Sequence, residues 1–195
     1  DYDQHQMRTP ATHRQLFDPT ANRLIDLKAW IERGNDSPYK TWQRVEGETE
    51  MRNLVAGWLN GQSFGRYTCA QENEFSNRQR PDIWMQSPQV DSAVPIELKV
   101  LDKGWTGPEL CERLRNQLVG DYLREETADC GVMLLIWQGQ STRSRWQIGD
   151  SRVALTGLEG ALKSYWSAIA NNYPGVVSID VILIDLTVRD VKAHN

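Results

Sequence analysis

Two carboxylates and one amine lie within a short stretch of the chain, at a spacing that suits phosphodiester chemistry. Asp82 follows Pro81, and Glu97 and Lys99 belong to one E-x-K triplet. Hydrolysis of a phosphodiester needs a deprotonated water and a counter-charge for the negative charge that develops. Mg²⁺ or Mn²⁺ held by hard oxygen ligands supplies both. We therefore take Asp82 and Glu97 as candidate metal ligands and Lys99 as a candidate catalytic lysine.

The predicted strand over residues 94–101 gives the triplet its geometry. Residues two apart in a strand share a face, so Glu97 and Lys99 project together while the Leu98 side chain turns to the core. The backbone carbonyl of Leu98 is then a candidate third ligand. Lys99 is placed to orient a hydroxide and to contact the scissile phosphate. The alternative is an ion pair between Glu97 and Lys99 on a solvated face, which an E-x-K pattern alone fits equally well.

A third carboxylate is selected by helical phase. A helix is predicted from about Glu48 to Asn60, and it ends at Gly61. Glu48 projects within about 50° of the centre of its apolar stripe, whereas Glu50 projects more than about 100° away. A carboxylate on the inward face of a helix is costly unless something binds it, so Glu48 is a further candidate metal ligand. The alternative is a first-turn glutamate favoured by the helix dipole.

The pattern of the remaining elements predicts one α/β domain. Residues 1–17 lack periodicity, and Asp18-Pro19 is typical of a helix start. The apolar run 131–137 is typical of a central strand covered on both faces, and residues 138–152 are predicted as a long polar loop. The predicted order is α-α-β-β-β-α-β-α-β, a mixed sheet with helices on its faces. The further elements are predicted as strands over 64–71, 82–85 and 176–188 and as helices over 108–126 and 158–172.

Over residues 48–137 the chain resembles the PD-(D/E)xK nuclease superfamily, which has the restriction-endonuclease-like fold. The resemblance is carried by Glu48, by Pro81-Asp82, by Glu97-Leu98-Lys99 and by Gln117 five residues before Tyr122. It implies an α/β fold with a restriction-endonuclease-like mixed central sheet flanked by helices, whose core order is α-β-β-β-α-β. It also implies that Glu48 is the auxiliary acid and that Gln117 lines the site, while the role of Tyr122 stays open.

The function that the resemblance implies is a Mg²⁺-dependent deoxyribonuclease, in the first place an endonuclease, that leaves a 5′-phosphate and a 3′-hydroxyl. RNA is not excluded as a substrate. We expect an N-terminal tail and helix over 1–40 and the nuclease domain over 41–195, folded together. A homodimer and a module of a larger bacterial defence-type protein, which suits a first residue other than Met, both stay open. The alternative function is a nuclease-like fold that serves as a non-catalytic nucleic-acid or protein-interaction module.

Basic side chains near the candidate site are the predicted contacts to DNA phosphates. On the helix after the triplet, Arg113, Gln117, Gly120 and Arg124 align on one stripe. Further candidates are Arg78 and Arg80, just before Asp82, and Arg143 and Arg145 in the predicted loop. A solvated charged face is the alternative for the stripe. The formal net charge of −4 argues against a protein that coats nucleic acid non-specifically.

Composition disfavours several other classes. The three cysteines are scattered, which fits buried free thiols in a reducing cytoplasm and neither a disulfide framework nor a zinc site. The three histidines lie near the termini, which disfavours histidine-based metal or nucleophile systems. No Walker-type loop and no apolar run of about 18 residues is present, so we expect no ATPase and no membrane span. Trp105 and Trp146 fall in polar stretches and are candidates for base stacking.

Overall fold

The computed structural model describes residues 8–71, 81–123 and 128–189, with the backbone alone at positions 121 and 122. Among the described residues, three helices precede the sheet, and the remaining helices alternate with strands. The helices are α1 (His13–Arg33), α2 (Tyr39–Gln43), α3 (Glu48–Gly61), α4 (Gly107–Glu112), which continues into a π-helix (Arg113–Tyr122), and α5 (Leu155–Ile169). The strands are β1 (Thr68–Gln71), β2 (Ile83–Gln86), β3 (Val94–Val100), β4 (Cys130–Trp137), β5 (Arg145–Ile148), β6 (Ser151–Ala154) and β7 (Ser178–Asp185).

The main sheet is mixed and five-stranded, in the order β1-β2-β3-β4-β7. β1, β2 and β3 form an antiparallel meander, and β4 and β7 run parallel to β3. The two parallel connections pass through helices, because parallel neighbours need a crossover. The expected α/β class with a mixed sheet flanked by helices is confirmed, and α3, the first four sheet strands and the helix between β3 and β4 follow one another as α-β-β-β-α-β.

Two hydrophobic cores cover the two faces of this sheet. Alternate residues of β4, such as Leu134, pack with α1 and α3 on one face. Its other residues, such as Leu135, pack with the π-helix, α5 and the β5–β6 hairpin on the opposite face. All seven residues of β3 are buried, as a strand between two covered faces requires. Glu97 and Lys99 therefore lie in the interior, which excludes the alternative of an ion pair on a solvated face.

Helix α1 begins earlier than the sequence predicted. Thr12 is its N-cap, with a hydroxyl that accepts a hydrogen bond from the Gln15 N–H at 3.2 Å, and Pro19 lies inside the helix. Leu16 and Phe17, which were assigned to an aperiodic tail, are buried in the core. Burial of these two side chains favours the additional helical turns over a start at Asp18.

The segment predicted as one long polar loop contains the β5–β6 hairpin instead. In β5, exposed and buried residues alternate from Arg145 to Ile148, and Gly149 adopts a φ of 55° in the turn. Few of its residues are apolar, so the strand pattern is weak in the sequence. Pairing with β6 and burial of Trp146 supply the stabilisation.

The helix after β3 also departs from the expected geometry. It changes at Arg113 from an α-helix to a π-helix, in which each N–H bonds five residues back. Its buried side chains include Leu114, Leu118 and Val119. Of the stripe that we predicted from 3.6 residues per turn, Arg113 and Gln117 are hydrogen-bonded to each other, and Arg124 lies outside the described residues.

Across the part of the chain that the structure describes, the helices lack the combination of length and apolar composition that crossing a membrane requires.

Candidate active site

The candidate site forms where β3 extends beyond the pairing with β2. The register of these antiparallel strands ends with Ile83 opposite Ile96, so the next backbone N–H groups on that edge have no strand partner. Two side chains take their place. The Leu98 N–H donates to Asp82 Oδ2 at 2.9 Å, and the Val100 N–H donates to Glu48 Oε1 at 3.1 Å. Two of the three sequence-predicted carboxylates, Asp82 and Glu48, therefore lie along one edge of β3.

Carboxylate capping of a free strand edge is not in itself a functional signal. At the outer edge of β7, the Leu183 N–H donates to Glu159 Oε2 and the Asp185 N–H donates to Glu32 Oε1, both at 3.0 Å. Such contacts satisfy backbone groups and protect an edge strand. What distinguishes the β3 edge is the pair of buried charged side chains beside it.

Three oxygen atoms surround the Lys99 ammonium. Its Nζ lies 2.7 Å from Glu97 Oε1, 2.9 Å from the Leu98 carbonyl oxygen and 3.0 Å from Asp82 Oδ2. The three candidate ligand groups thus converge on one cation. The side chain of Lys99 is 6% exposed and that of Glu97 is 0% exposed, so this arrangement is shielded from solvent.

Glu97 is poorly satisfied in this environment. Lys99 is close enough for an ion pair with Oε1, but neither carboxylate oxygen has a well-aligned hydrogen bond within the described residues. Burial in the first place, and the Asp82 carboxylate in the second, raise the pKa of Glu97 from 4.5 to about 7. A buried carboxylate with a raised pKa destabilises the fold at neutral pH, and such groups are found both at functional sites and in structural ion-pair networks.

For Lys99, in contrast, the shift in pKa favours the charged form of the side chain. Burial alone lowers the pKa of a lysine, but the carboxylates of Glu97, Asp82 and Glu48 outweigh it and raise the pKa of Lys99 above its ordinary value. Lys99 is therefore an ammonium ion at neutral pH. It offers positive charge and hydrogen-bond donors, and it is not a general base.

We predict that Glu97→Gln stabilises the metal-free protein in a pH-dependent way. Because the pKa of Glu97 is higher in the folded than in the unfolded chain, wild-type stability falls as the pH rises from about 4.5 to about 7. The neutral carboxamide of Glu97→Gln does not ionise, so the variant does not lose stability in this pH range. In EDTA at pH 8 the variant should melt about 3–6 °C above wild type, whereas at pH 4.5 the two should agree. Thermal melts in EDTA at both pH values test this. Equal melting temperatures at pH 8 would contradict it.

Trp105 covers the site and was anticipated only as a base-stacking candidate. Its indole N–H donates to Glu48 Oε1 at 3.1 Å, and its ring centroid lies 5.3 Å from Lys99 Nζ and 5.4 Å from Arg113 Cζ. Arg113 in turn donates to Gln117 Oε1 at 2.5 Å. The predicted residues Arg113 and Gln117 are thus brought beside the triplet through Trp105.

Arg52 belongs to the site and was missed by the sequence reasoning. Its Nη1 lies 3.3 Å from Asp82 Oδ1, with both side chains 14% exposed. Arg52 lies one helical turn after Glu48 on α3, so that i,i+4 spacing from a selected carboxylate was the available signal. Asp82 consequently has cations on both of its oxygens.

Glu48 lies alongside the other two carboxylates and does not close a compact cage with them. Within the described residues, His13, Asp129 and Cys130 are the one group of three potential ligands whose atoms all lie within 4.8 Å of one another. Glu48 bonds the strand two residues beyond the Leu98 position, a step of roughly 7 Å. The convergence of all three carboxylates on a single metal-sized gap, as the sequence reasoning expected, is therefore wrong.

The group at His13 is a second arrangement that the sequence reasoning did not foresee. His13 Nδ1 lies 2.9 Å from Asp129 Oδ1, and its Nε2 lies 3.1 Å from the Ala93 carbonyl oxygen. Both ring nitrogens therefore already have partners, and these hydrogen bonds join the start of α1 to the starts of β3 and β4. These three side chains could hold a metal. The hydrogen bonds of the His13 ring, however, already form a contact that can be purely structural.

The remaining predicted basic residues divide into two sets. Arg143 and Arg145 lie beside a polar pocket next to the site. Arg78, Arg80 and Arg124 lie outside the described residues, and so does the Tyr122 side chain.

A scan of the sequence against protein-family models finds no match, and searches of curated proteins and of solved structures also find none.

Proposed function

We propose that this protein is a metal-dependent nuclease of the PD-(D/E)xK kind, built on a restriction-endonuclease-like fold, that hydrolyses phosphodiester bonds of DNA. The observation that carries the proposal is the convergence of Asp82, Glu97 and the Leu98 carbonyl on one buried cation. The order α-β-β-β-α-β from α3 to β4 supports the fold assignment. A binding module has no evident need for a buried carboxylate with a raised pKa.

The donor set fits Mg²⁺ or Mn²⁺. All of its atoms are hard oxygens, as these ions prefer, and the two Glu97 oxygens lack aligned hydrogen bonds. Asp82, Glu97 and the Leu98 carbonyl would hold the ion, with Glu48 alongside. Such an ion would activate the attacking water and neutralise charge on the phosphate.

The protein's own side chains have distinct tasks in this proposal. Lys99, fixed as an ammonium, stabilises a hydroxide and the negative charge that develops on the phosphate. Trp105 holds Glu48 and excludes water from one side of Lys99. Gln117 orients Arg113 towards the Trp105 ring, where its guanidinium is available to a phosphate oxygen.

The biological setting follows as a set of proposals. We propose an endonuclease, as the resemblance to the PD-(D/E)xK superfamily implies. All three cysteines are free and buried, which supports a reducing compartment such as the cytoplasm. A homodimer would place two sites for a double-strand cut, and a module of a larger defence-type protein is the other arrangement that we propose.

Plasmid cleavage tests the proposal. Supercoiled DNA is incubated with the protein in Mg²⁺, in Mn²⁺ and in EDTA, and nicked and linear products are followed over time. We expect cleavage in either metal and none in EDTA. Absence of metal-dependent cleavage on plasmid, linear duplex and single-stranded DNA would overturn the enzyme assignment, and DNA binding without cleavage would favour the non-catalytic module.

A further inference from the structure

A polar pocket of about 370 Å³ lies next to the candidate active site, and three arginines line it. Arg143 lies in the loop before β5, Arg145 is the first residue of β5, and Arg152 comes from β6. We call it the arginine pocket. Gly104, which also lines it, immediately precedes Trp105 in the site, so that the pocket and the site meet at one backbone segment.

Of the three arginines in the arginine pocket, Arg143 acts on the exposed carboxylate of Glu109, whose pKa is lowered by the Thr106 hydrogen bonds and, to a smaller extent, by Arg143. Arg145 pairs with Ala154 and Gln147 pairs with Arg152 across the hairpin, so the two arginines are diagonal neighbours on one face. Within the described residues, neither forms a salt bridge with a carboxylate. Arg143 contacts the Gly104 carbonyl at 3.4 Å. Like charges on one face of a hairpin repel each other, and an anionic ligand would relieve that repulsion.

The loop that carries the arginine pocket is fixed to the site by hydrogen bonds to Asp102. The Asp102 carboxylate accepts hydrogen bonds from the backbone N–H groups of Gln138, Gln140 and Ser141, at 2.6, 2.6 and 3.0 Å, and so holds the loop before Arg143. Asp102 itself lies three residues after Lys99.

The hairpin is fixed by two further contacts. The Trp146 indole donates to the Trp105 carbonyl at 3.0 Å. A Cβ on Gly107 would lie 1.8 Å from the Gln147 carbonyl oxygen, so the hairpin backbone packs directly on the start of α4. The pocket therefore holds a constant position relative to the triplet, as a substrate subsite requires.

We propose that the arginine pocket binds a phosphate group of the substrate DNA strand away from the scissile position. This rests on the proposed nuclease function. The pocket has the volume for one phosphate-sized group with its sugar rather than for a length of duplex, and its guanidinium groups match phosphate geometry. It contributes affinity and register, whereas the chemistry stays with the triplet.

Binding without catalysis tests the assignment. The affinity for a 3′-labelled single-stranded 20-mer is measured by fluorescence anisotropy in EDTA, for wild type, Arg145→Gln, Arg152→Gln and the double variant. The matched control is Arg14→Gln, an exposed arginine paired with Asp18 near the opposite end of β4. We expect the double variant to bind about tenfold more weakly at 0.1 M salt, with a salt slope smaller by about 0.7 for each phosphate no longer neutralised.

An affinity and a salt slope of the double variant equal to those of Arg14→Gln would overturn the proposal. Two versions of the 20-mer then identify the phosphate. If wild type prefers a 5′-phosphate over a 5′-hydroxyl and the double variant does not, the pocket holds a terminal monoester. If wild type shows no preference and the double variant is still weaker, it holds an internal diester.

Cleavage assays keep this proposal separate from the nuclease assignment. In Mg²⁺ the double variant should raise KM about tenfold and leave kcat within twofold of wild type. Weakened binding in a protein that cleaves no DNA would leave the pocket assigned and the nuclease assignment wrong. Normal cleavage with unchanged KM in the double variant would overturn the pocket proposal and leave the nuclease assignment in place.

Discussion

Asp82→Asn should lower the rate of Mg²⁺-dependent DNA cleavage at least about a thousandfold. The carboxamide removes the negative charge that a metal ligand needs but retains an oxygen to accept the Leu98 N–H, which Asp82 Oδ2 accepts at 2.9 Å. The strand edge is therefore preserved while the proposed ligand is lost. Initial rates of plasmid nicking in Mg²⁺ measure the effect.

The matched control for this change is Asp26→Asn. Asp26 is exposed on α1, where it pairs with Arg23 at 2.8 Å, and surface pairs of this kind contribute little. Its cleavage rate should equal that of wild type. Melting temperatures show whether Asp82→Asn is folded. A folded Asp82→Asn protein that cleaves at the wild-type rate would mean that the metal site is misassigned.

Lys99→Met should lower the free energy of unfolding of the metal-free protein by about 3–5 kcal/mol at pH 8. The substitution leaves the buried carboxylate of Glu97 beside that of Asp82 without the ammonium that lies 2.7 and 3.0 Å from them. The double variant Lys99→Met/Glu97→Gln should recover most of this loss, because Asp82 keeps its contact with Arg52 at 3.3 Å. Urea unfolding in EDTA measures all of these variants.

The same variant provides a test of metal binding that does not depend on cleavage. Without the ammonium, the three oxygens have only an added cation to hold, so Mg²⁺ should raise the melting temperature of Lys99→Met more than that of wild type. Lys40→Met, on the exposed surface of α2, is the control and should behave as wild type. A loss of stability below about 1 kcal/mol in EDTA would show that Lys99 does not neutralise a buried charge pair.

The melting experiments on Glu97→Gln and the unfolding experiments on Lys99→Met separate the chemical role of the site from its effect on stability. If Glu97 is kept for metal binding, its neutralisation stabilises the metal-free fold while cleavage is lost. If it is a structural ion-pair partner of Lys99, its neutralisation destabilises the fold instead. The raised pKa of Glu97 favours the first outcome.

The sequence predicted those parts of the fold that follow from the periodicity of single helices and strands. The helical phase that chose Glu48 over Glu50 is consistent with the structure, where Glu48 reaches the Val100 N–H and the Trp105 indole. Strand alternation placed Glu97 and Lys99 on one face of β3. The mixed sheet between helices follows from the order of these elements, because each must bury its apolar face.

Features that depend on contacts between residues far apart in the sequence were either not predicted or predicted wrongly. The weak pattern of the β5–β6 hairpin is stabilised by Trp146, whose indole binds a carbonyl 41 positions away in the chain. Asp102 fixes a loop 36 to 39 positions further along the chain. Such partners leave no periodic signal, since each is a single contact between residues far apart in sequence.

The sequence by itself determined which side chains are available for chemistry and on which face of β3 two of them lie, because the period of a strand is local. Only the tertiary structure decided that this face is buried and that the Lys99 ammonium is the cation held by Asp82, Glu97 and the Leu98 carbonyl. It also decided that Glu48 binds the strand at Val100, two residues beyond Leu98. The physical reason is that burial and charge neutralisation are properties of the packed whole. The π-helix and Trp105 cover a strand face that the sequence pattern alone left open to solvent.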